Sequence, residues 1–200
     1  MSAAPRYRRF TATQRRAMLI DAGLACLSKG GIAAFTVDNI CEEARASRGL
    51  IRHHFKSKDG LLSAVYEEMY ERMFLIALPE QDASLTTIVE ALFDDGLVEA
   101  DTLNAWLALW SEVRNNPILQ KAHRHYYTLY HARISAAIEV AAVGRTLTIQ
   151  TDALALMFVS LVDGLWLERA IDSDRLSNSE ARCACLSLLG AFLGPPIDFG

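Results

Sequence analysis

The chain has 200 residues, of which 52% are apolar and 22% are charged, and its net charge is −4. This length suffices for one sizeable core or two small domains, and the apolar content excludes a largely disordered protein. The charge is uneven, because residues 1–60 carry 11 Lys and Arg against 5 Asp and Glu, whereas residues 61–200 carry 9 against 19. A basic N-terminal part on an acidic remainder indicates a protein that touches nucleic acid at one end.

The first predicted helix follows a short basic arm over residues 1–11. Apolar residues at helical spacing predict that helix over residues 13–29, and they face inward at Ile20, Leu24 and Leu27. Gly30 and Gly31 are expected to end the helix, because glycine is the usual residue just beyond a helix C-terminus.

Residues 36–55 are the most informative segment, since they predict two short helices separated by a tight turn. Thr36 can cap the first helix and Ser47 the second. Apolar and polar residues of the second helix fall on opposite sides: Leu50, Ile51, His54 and Phe55 on one, and Arg48, Gly49, Arg52 and His53 on the other. Such a helix suits a DNA groove, because guanidinium and imidazole groups reach base edges or phosphates and Gly49 lets the backbone come close.

Only helices are predicted beyond this segment. Ser57 caps a long helix to about residue 77, Pro79 closes it, and the polar stretch 80–84 is a linker. Further helices are predicted over residues 85–99, 103–115, 117–143, 151–171 (with Thr148 or Thr151 opening it) and 179–193. No alternation of polar and apolar residues typical of strands occurs, so we predict an all-α fold of about nine helices.

The chain resembles the TetR family of bacterial transcriptional regulators over essentially its whole length. The resemblance is strongest over residues 12–62, where a helix, a helix-turn-helix and a characteristic spacing coincide at Ser47, Phe55, Lys58, Leu61 and Leu62. It implies a helix-turn-helix DNA-binding domain, placed at residues 1–60 with its basic arm, and a helical domain over residues 61–200. The second domain is expected to dimerise and to hold a small-molecule pocket. Two further stretches resemble the C-terminal domain of the BetI branch, at residues 106–117 and 162–167.

Two residues depart from the family pattern. The turn usually contains Gly-Val, where this chain has Arg45 and Ala46. An Arg in a left-handed turn costs roughly 1 kcal/mol relative to Gly, so either the turn differs or Arg45 binds a phosphate. The common Tyr of the recognition helix is Arg52 here, which replaces a phenol by a long cation and predicts a different operator preference.

The predicted DNA-binding residues combine the turn, the second short helix and the start of the fourth helix. They are Thr36, Arg45, Ser47, Arg48, Gly49, Arg52, His53, His54, Lys56 and Lys58. Lys58 can grip a phosphate together with the free N–H groups of its helix N-terminus. A solvated basic face remains the alternative for the Arg and His residues, capping alone would explain Thr36, and His54 is either structural or a phosphate donor.

The predicted ligand-binding residues are aromatic side chains from three helices and one carboxylate: Trp106, Trp110, Tyr127, Phe158, Trp166 and Asp163. Asp163 interrupts a very apolar stretch, and a buried lone carboxylate is costly unless it is paired. A hydrogen bond within the bundle, a partner Arg or a place at the dimer seam would each explain it. Aromatic faces with one carboxylate favour a small organic cation, although a neutral hydrophobic ligand stays open.

Metal-binding and catalytic sites are not predicted. His123, His125 and His131 lie among tyrosines, but His123 and His125 diverge on a helix, so structural or pocket-lining roles are expected. No nucleophile has a partnered base and no phosphate-binding loop is present, so we expect neither an enzyme nor a cofactor. Cysteines without a CxxC pair, the absence of an apolar N-terminal signal, and apolar runs far shorter than about 20 residues predict a cytoplasmic protein with no membrane span.

These observations favour a ligand-responsive repressor that binds a pseudo-palindromic, double-stranded DNA operator as a homodimer through its last two helices. Residues alone do not distinguish a repressor from an activator. The first alternative is a DNA-binding protein whose C-terminal domain binds a protein partner rather than a metabolite. A helix-bundle enzyme is a weaker one.

Overall fold

The computed structural model describes residues 10–78 and 83–194. Within these residues the regular structure is entirely helical, which confirms the predicted all-α fold. The ten helices are α1 Ala12–Ala34, α2 Val37–Glu43, α3 Arg48–Phe55, α4 Lys58–Ala77, α5 Leu85–Leu92, α6 Asp95–Val98, α7 Ala100–Val113, α8 Pro117–Ala141, α9 Thr151–Ile171 and α10 Asn178–Leu193. Most of the basic arm, Pro79 and most of the linker lie outside the described residues.

Side-chain caps fix several of the helix starts. Thr36 Oγ1 accepts a hydrogen bond from the Asn39 backbone N–H at 3.2 Å, and Ser57 Oγ accepts one from that of Gly60 at 3.0 Å. Ser47 occupies the N-cap position of α3, but its side chain makes no capping hydrogen bond. The predicted N-caps of α2 and α4 are therefore confirmed together with their hydrogen bonds. For α3 the N-cap position of Ser47 is confirmed, but its capping hydrogen bond is not formed.

Several predicted boundaries differ from the structure, including the start of α7, which lies at Ala100 rather than at residue 103. α1 continues to Ala34 because only Gly30 and Gly31 leave helical geometry, Gly31 with φ +61°, and the chain then resumes a helical turn. The predicted helix over residues 85–99 is divided into α5 and α6, because the Asp94 carboxylate caps a new turn by accepting from the Gly96 N–H at 2.9 Å. α10 begins at Asn178, one residue before the expected start. Its N-cap is Ser177, a neighbour of the expected Ser179, and Ser177 forms a capping box with Glu180.

α1 and α3 each pack against both α2 and α4. Their shared core contains fully or almost fully buried apolar side chains: Leu19, Ile20, Leu27, Phe35, Ile40, Ile51, Phe55, Leu61 and Leu62. α4 also packs on α5 and α8, and α1 packs along α7. Two helices therefore join the N-terminal unit to the rest of the molecule, and the division at residue 60 stays a prediction.

The C-terminal helices form a bundle in which α9 lies against α7, α8 and α10. Its core contains Trp106, Leu109, Ile134, Phe158, Val162, Trp166 and Leu189, all nearly inaccessible to solvent. This arrangement brings α7, α8 and α9 together, and the cavity described below lies between them.

α1 is long and apolar enough, by length and composition, to satisfy a test for membrane spans, and no other helix among the described residues does so. Its apolar side chains Leu19, Ile20 and Leu27 are buried in the N-terminal core. A core helix of a soluble protein passes the same test, so the result is weak evidence for a membrane segment.

Candidate functional site

The turn between α2 and α3 has the left-handed geometry that the family pattern associates with glycine. Arg45 adopts φ +48°, and its side chain is exposed. The Arg45 N–H donates to the Glu42 carbonyl at 3.1 Å, and the Ala46 N–H donates to the Cys41 carbonyl at 2.9 Å. The chain thus keeps the turn at a cost of roughly 1 kcal/mol, and phosphate binding by Arg45 remains a prediction.

α3 presents the two sides that its sequence predicts. Ile51 and Phe55 are buried in the N-terminal core, whereas Arg52 and His53 are exposed. Gly49 is also exposed, and a Cβ added to it would approach only the Ser47 hydroxyl, at 3.8 Å. Because nothing inside the protein requires glycine there, its small size is available for close approach by an external partner.

Arg48 is engaged within the protein. Its guanidinium lies 2.5 Å from the Asp38 carboxylate of α2, and both side chains are largely exposed. An exposed ion pair of this kind contributes about 1 kcal/mol or less. DNA can therefore compete with Asp38 for Arg48. Because the ion pair must first break, the net free energy that Arg48 contributes to DNA binding is lower.

His54 is half-buried next to the basic side of α3. Burial lowers its pKa, and the positive charges of His53, Arg16 and Arg15 lower it further. The imidazole is thus neutral at pH 7, which leaves it a single N–H donor. Both readings of His54, structural and phosphate-binding, remain open.

The junction between α3 and α4 is fixed by a close backbone contact. A Cβ on Gly60 would lie 2.1 Å from the Phe55 carbonyl oxygen, so a side chain does not fit there. Lys56, with φ +69°, donates its backbone N–H to the Arg52 carbonyl at 3.1 Å. This junction holds α3 at a set angle to α4 and leaves Lys58 exposed in the first turn of α4.

The predicted DNA-binding residues other than His54 are therefore all exposed, on or beside α3: Thr36, Arg45, Ser47, Arg48, Gly49, Arg52, His53, Lys56 and Lys58. Thr36 and Ser47 occupy N-cap positions, and Thr36 is accounted for by its cap. DNA contact by each residue stays a prediction.

A cavity of about 550 Å³ lies between α7, α8 and α9. Its apolar wall contains Trp110, Val113 and Leu167, and Gly164 contributes backbone. The remaining lining residues are polar or charged: Arg114, Gln120, His123 and Asp163. Gly164, Leu167 and Arg114 are exposed, so the cavity communicates with solvent along this edge.

Asp163 is the most perturbed carboxylate of the described residues. Burial raises its pKa to about 7, and its side chain forms no hydrogen bond or ion pair with any described residue. Its charge helps to raise the pKa values of Tyr70 and Tyr127, which places it among phenol groups. The bundle hydrogen bond and the partner Arg considered for Asp163 are not found in the described part of the chain.

The predicted aromatic residues differ in their relation to the cavity. Trp110 lines the cavity, whereas Trp106 and Trp166 are buried and do not line it. The ring centroids of Trp110 and Trp106 are 5.7 Å apart, and those of Trp106 and Trp166 are 6.1 Å apart. The Trp166 indole N–H donates to the Leu92 carbonyl at 3.1 Å. Phe158 is fully buried and is not among the lining residues, so its predicted ligand contact has no support from the cavity.

His123 connects the cavity to α4. Its Nδ1 lies 2.7 Å from the hydroxyl of the fully buried Tyr66, and burial lowers the pKa of the imidazole. The Tyr127 ring lies 5.4 Å from that of His123. The pocket-lining role considered for His123 thus agrees with its position.

Sequence reasoning missed Arg114 and Gln120. A signal was available for Arg114, which stands one helical turn after Trp110 and so shares its side of α7. Gln120 stands three residues before His123 on α8 and shares its side in the same way. Polar residues at such positions are normally solvated surface, which is why the pattern alone did not select them.

Comparisons with known proteins agree with this architecture. Residues 19–65 match the model of bacterial regulatory proteins of the tetR family, and residues 81–194 match that of the BetI-type transcriptional repressor C-terminal domain. A relative from Burkholderia lata named HTH-type transcriptional regulator BetI is 32% identical over 164 residues, 78% of this chain and 82% of that protein. One of the same name from Burkholderia mallei is 27% identical over 190 residues, 92% and 95% of the two chains.

Solved structures show the same fold. A transcriptional regulator from Pseudomonas aeruginosa superposes with a TM-score of 0.80 at 28% identity over 93% of both chains. A regulator from Saccharomonospora viridis, solved in complex with choline, gives 0.74 at 20% identity over 88% of this chain and 96% of that one. The chain therefore belongs to the TetR family of DNA-binding transcriptional regulators, with a C-terminal domain of the BetI type.

Proposed function

We propose that this regulator is a cytoplasmic, ligand-responsive repressor that binds a pseudo-palindromic operator as a homodimer. The observation that carries the proposal is the cavity between α7, α8 and α9, which is joined to α4 through the hydrogen bond between His123 and Tyr66. A cavity of this size suits a metabolite and gives no support to a protein partner in its place.

The operator-binding element of the proposal is α3. Its exposed Arg52 and His53 face away from the buried Ile51 and Phe55, as in a recognition helix that enters the major groove. Specific bidentate contacts to guanine are the commonest role of such arginines. Lys58, at the N-terminus of α4, adds a phosphate contact that carries no sequence information.

The dimer is proposed on the outer faces of α9 and α10. Three apolar side chains of α9 that do not line the cavity are exposed, Leu156 at 51%, Met157 at 39% and Ile171 at 68%. α10, which packs against α9, exposes small residues, including Cys183, Ser187 and Ala191. Apolar area next to small residues allows two helix pairs to approach closely, and two-fold symmetry closes such an interface.

Leu156→Glu tests the interface. Because Leu156 is half-exposed in the protomer, the change is expected to leave the fold intact while it places a charge in the dimer contact. Sedimentation equilibrium should show a dimer for the wild type and monomers for the variant, which should also lose operator binding. A wild type that sediments as a monomer at micromolar concentration would refute the homodimer.

The effector is proposed to carry a positive charge. Asp163 supplies a carboxylate without a partner among the described residues to a cavity that Trp110 also lines, and a carboxylate and an aromatic ring both attract a desolvated cation. The regulator from Saccharomonospora viridis holds choline in its structure, which supports the same ligand class. A neutral apolar ligand would leave the Asp163 charge uncompensated.

The decisive experiment measures operator binding and ligand binding on one preparation. Fluorescence anisotropy with an operator duplex from the adjoining intergenic DNA should show weaker binding as choline-like amines are added. Thermal shift should report stabilisation by the same amines, and Asp163→Asn should abolish it. Stabilisation by a neutral compound alone, unchanged in Asp163→Asn, would refute the cationic effector while leaving the DNA-binding role in place.

A further inference from the structure

The cavity carries charges of both signs. Asp163 on α9 and Arg114 at the C-terminal end of α7 both line it. They do not form an ion pair with each other, and neither side chain forms a hydrogen bond or ion pair with any other described residue. Two opposite charges that line one cavity without pairing are available to a molecule that carries both complementary charges.

The two charges differ in their surroundings. Asp163 is mostly buried and adjoins the aromatic residues of the cavity, whereas Arg114 is exposed at the rim. A desolvated carboxylate near aromatic faces selects an ammonium group. An accessible guanidinium offers a fork of donors that matches a carboxylate.

Gln120 adds a donor to the side of Arg114. Its carbonyl oxygen is occupied, since it accepts a hydrogen bond from the Arg124 guanidinium at 2.5 Å. Its NH₂ group makes no hydrogen bond to a described residue, and Gln120 lines the cavity. A carboxylate could therefore accept from both Arg114 and Gln120, whereas a hydroxyl or an apolar group would leave the guanidinium uncompensated.

We propose that the effector is a small zwitterion, with its ammonium or quaternary ammonium group at Asp163 and Trp110 and its carboxylate at Arg114. This inference rests on the proposed cationic effector and narrows it, because a ligand without a carboxylate would make no use of the Arg114 guanidinium and the Gln120 amide that line the same cavity. It makes Arg114 a specificity-determining residue for the negative end of the ligand.

The test uses trimethylammonium carboxylates with one to three methylene groups between the charges, each paired with its methyl ester. The ester keeps the cation and removes the negative charge. Isothermal titration of the full chain should give at least ten-fold tighter binding for the best zwitterion than for its ester. Arg114→Gln should reduce that ratio to about one by weakening the zwitterion only, and Asp163→Asn should weaken both probes.

Lys121→Gln provides the matched control, because it also removes one positive charge, here from α8. Lys121 is exposed and does not line the cavity. It should leave the ratio unchanged. Esters or choline that bind as tightly as the zwitterions would overturn this inference and leave the cationic effector standing. Failure of every probe, zwitterions, esters and choline alike, would overturn both. Equal loss of zwitterion and ester affinity in Arg114→Gln would also contradict the assignment.

Discussion

Two residues of this regulator are in energetically unfavourable states that packing does not explain. Arg45 takes a left-handed turn conformation that glycine would adopt freely. Asp163 keeps a carboxylate in an aromatic surrounding without a partner among the described residues, and burial raises its pKa to about 7. Unfavourable features of this kind accumulate at functional sites, and these two lie in the turn of the helix-turn-helix and in the cavity between α7, α8 and α9.

The free-energy cost of burying the Asp163 carboxylate should depend on pH, and the variant Asp163→Asn should reveal that dependence. The carboxyl has an ordinary pKa of 3.8 and a folded-state pKa of about 7, so the folded protein holds this proton more tightly than the unfolded chain. The resulting stabilisation is present below pH 4 and is lost as pH rises to about 7. The Asp163→Asn variant has no carboxyl group to ionise and therefore does not lose this stabilisation. Its free energy of unfolding at pH 8, measured with urea, should exceed that of the wild type by roughly 1–3 kcal/mol.

The same comparison at pH 5 is the control for this prediction. Most of the Asp163 carboxyl is then protonated in the folded protein, so the advantage of the variant should shrink. A difference in the free energy of unfolding that is equal at pH 5 and pH 8 would show that the carboxylate is already paired or solvated.

Arg48 and Arg52 test the recognition surface. Arg48→Ala and Arg52→Ala are each expected to cost about 1–3 kcal/mol on the operator, whereas Lys58→Ala should weaken operator and scrambled DNA about equally. Arg48→Ala should be the milder of the two arginine variants, because Arg48 must first leave Asp38. Fluorescence anisotropy with both duplexes measures these differences.

Arg175→Ala is a suitable control for the recognition surface, since Arg175 is exposed beside Glu168 in the C-terminal domain. It should leave both affinities unchanged. Unaltered operator binding in the Arg48/Arg52 double variant would remove α3 from the role of recognition helix.

At the scale of elements, sequence patterns predicted the long helices and their capped starts because those signals are local. Thr36, Ser57 and Pro117 each stand where predicted. The division of residues 85–99 depended on Asp94, one of many acidic residues. Likewise, the cavity wall depended on which sides of α7, α8 and α9 face each other, and helical periodicity leaves that open. Arg114 was missed for this reason, while Trp110 and Asp163 were selected by their chemistry.

Gly60 and Gly49 make a matched pair for the α3 element. Gly60→Ala would bring a Cβ to 2.1 Å from the Phe55 carbonyl oxygen, so it should lower the free energy of unfolding by about 1–3 kcal/mol or more. Gly49→Ala meets nothing inside the protein and should raise stability slightly, because alanine favours helix by up to about 1 kcal/mol. It should nevertheless weaken operator binding. Chemical denaturation and anisotropy separate the two effects, and a Gly60→Ala protein of wild-type stability would disprove the close contact.

At the scale of the whole molecule, the acidic C-terminal part repels DNA and leaves binding to the basic N-terminal units. α4 joins the two parts, and the hydrogen bond between Tyr66 and His123 connects it to the cavity. The structure adds a second link, because α1 packs along α7, and α7 supplies Trp110 and Val113 to the cavity. A ligand that moves α7 or α8 can therefore act on the N-terminal unit through both helices.

Tyr66→Phe tests the link through α4. It removes the hydrogen bond between the Tyr66 hydroxyl and His123 Nδ1 but keeps the buried ring. Operator affinity without ligand and ligand affinity without DNA should both stay within a few-fold of the wild type. The reduction in operator affinity caused by ligand should become several-fold smaller, since this coupling is a free energy between the two sites. Anisotropy titrations with and without saturating ligand measure it.

Tyr126→Phe is the matched control for that coupling. The Tyr126 hydroxyl donates to the Glu71 carboxylate at 3.0 Å, so it also joins α8 to α4, but Tyr126 does not line the cavity. Its removal should leave the ligand effect unchanged. If both variants lose the same share of the coupling, α4 and α8 move as one body and the His123–Tyr66 contact has no special part in the response. If neither loses any, the signal passes from α7 to α1.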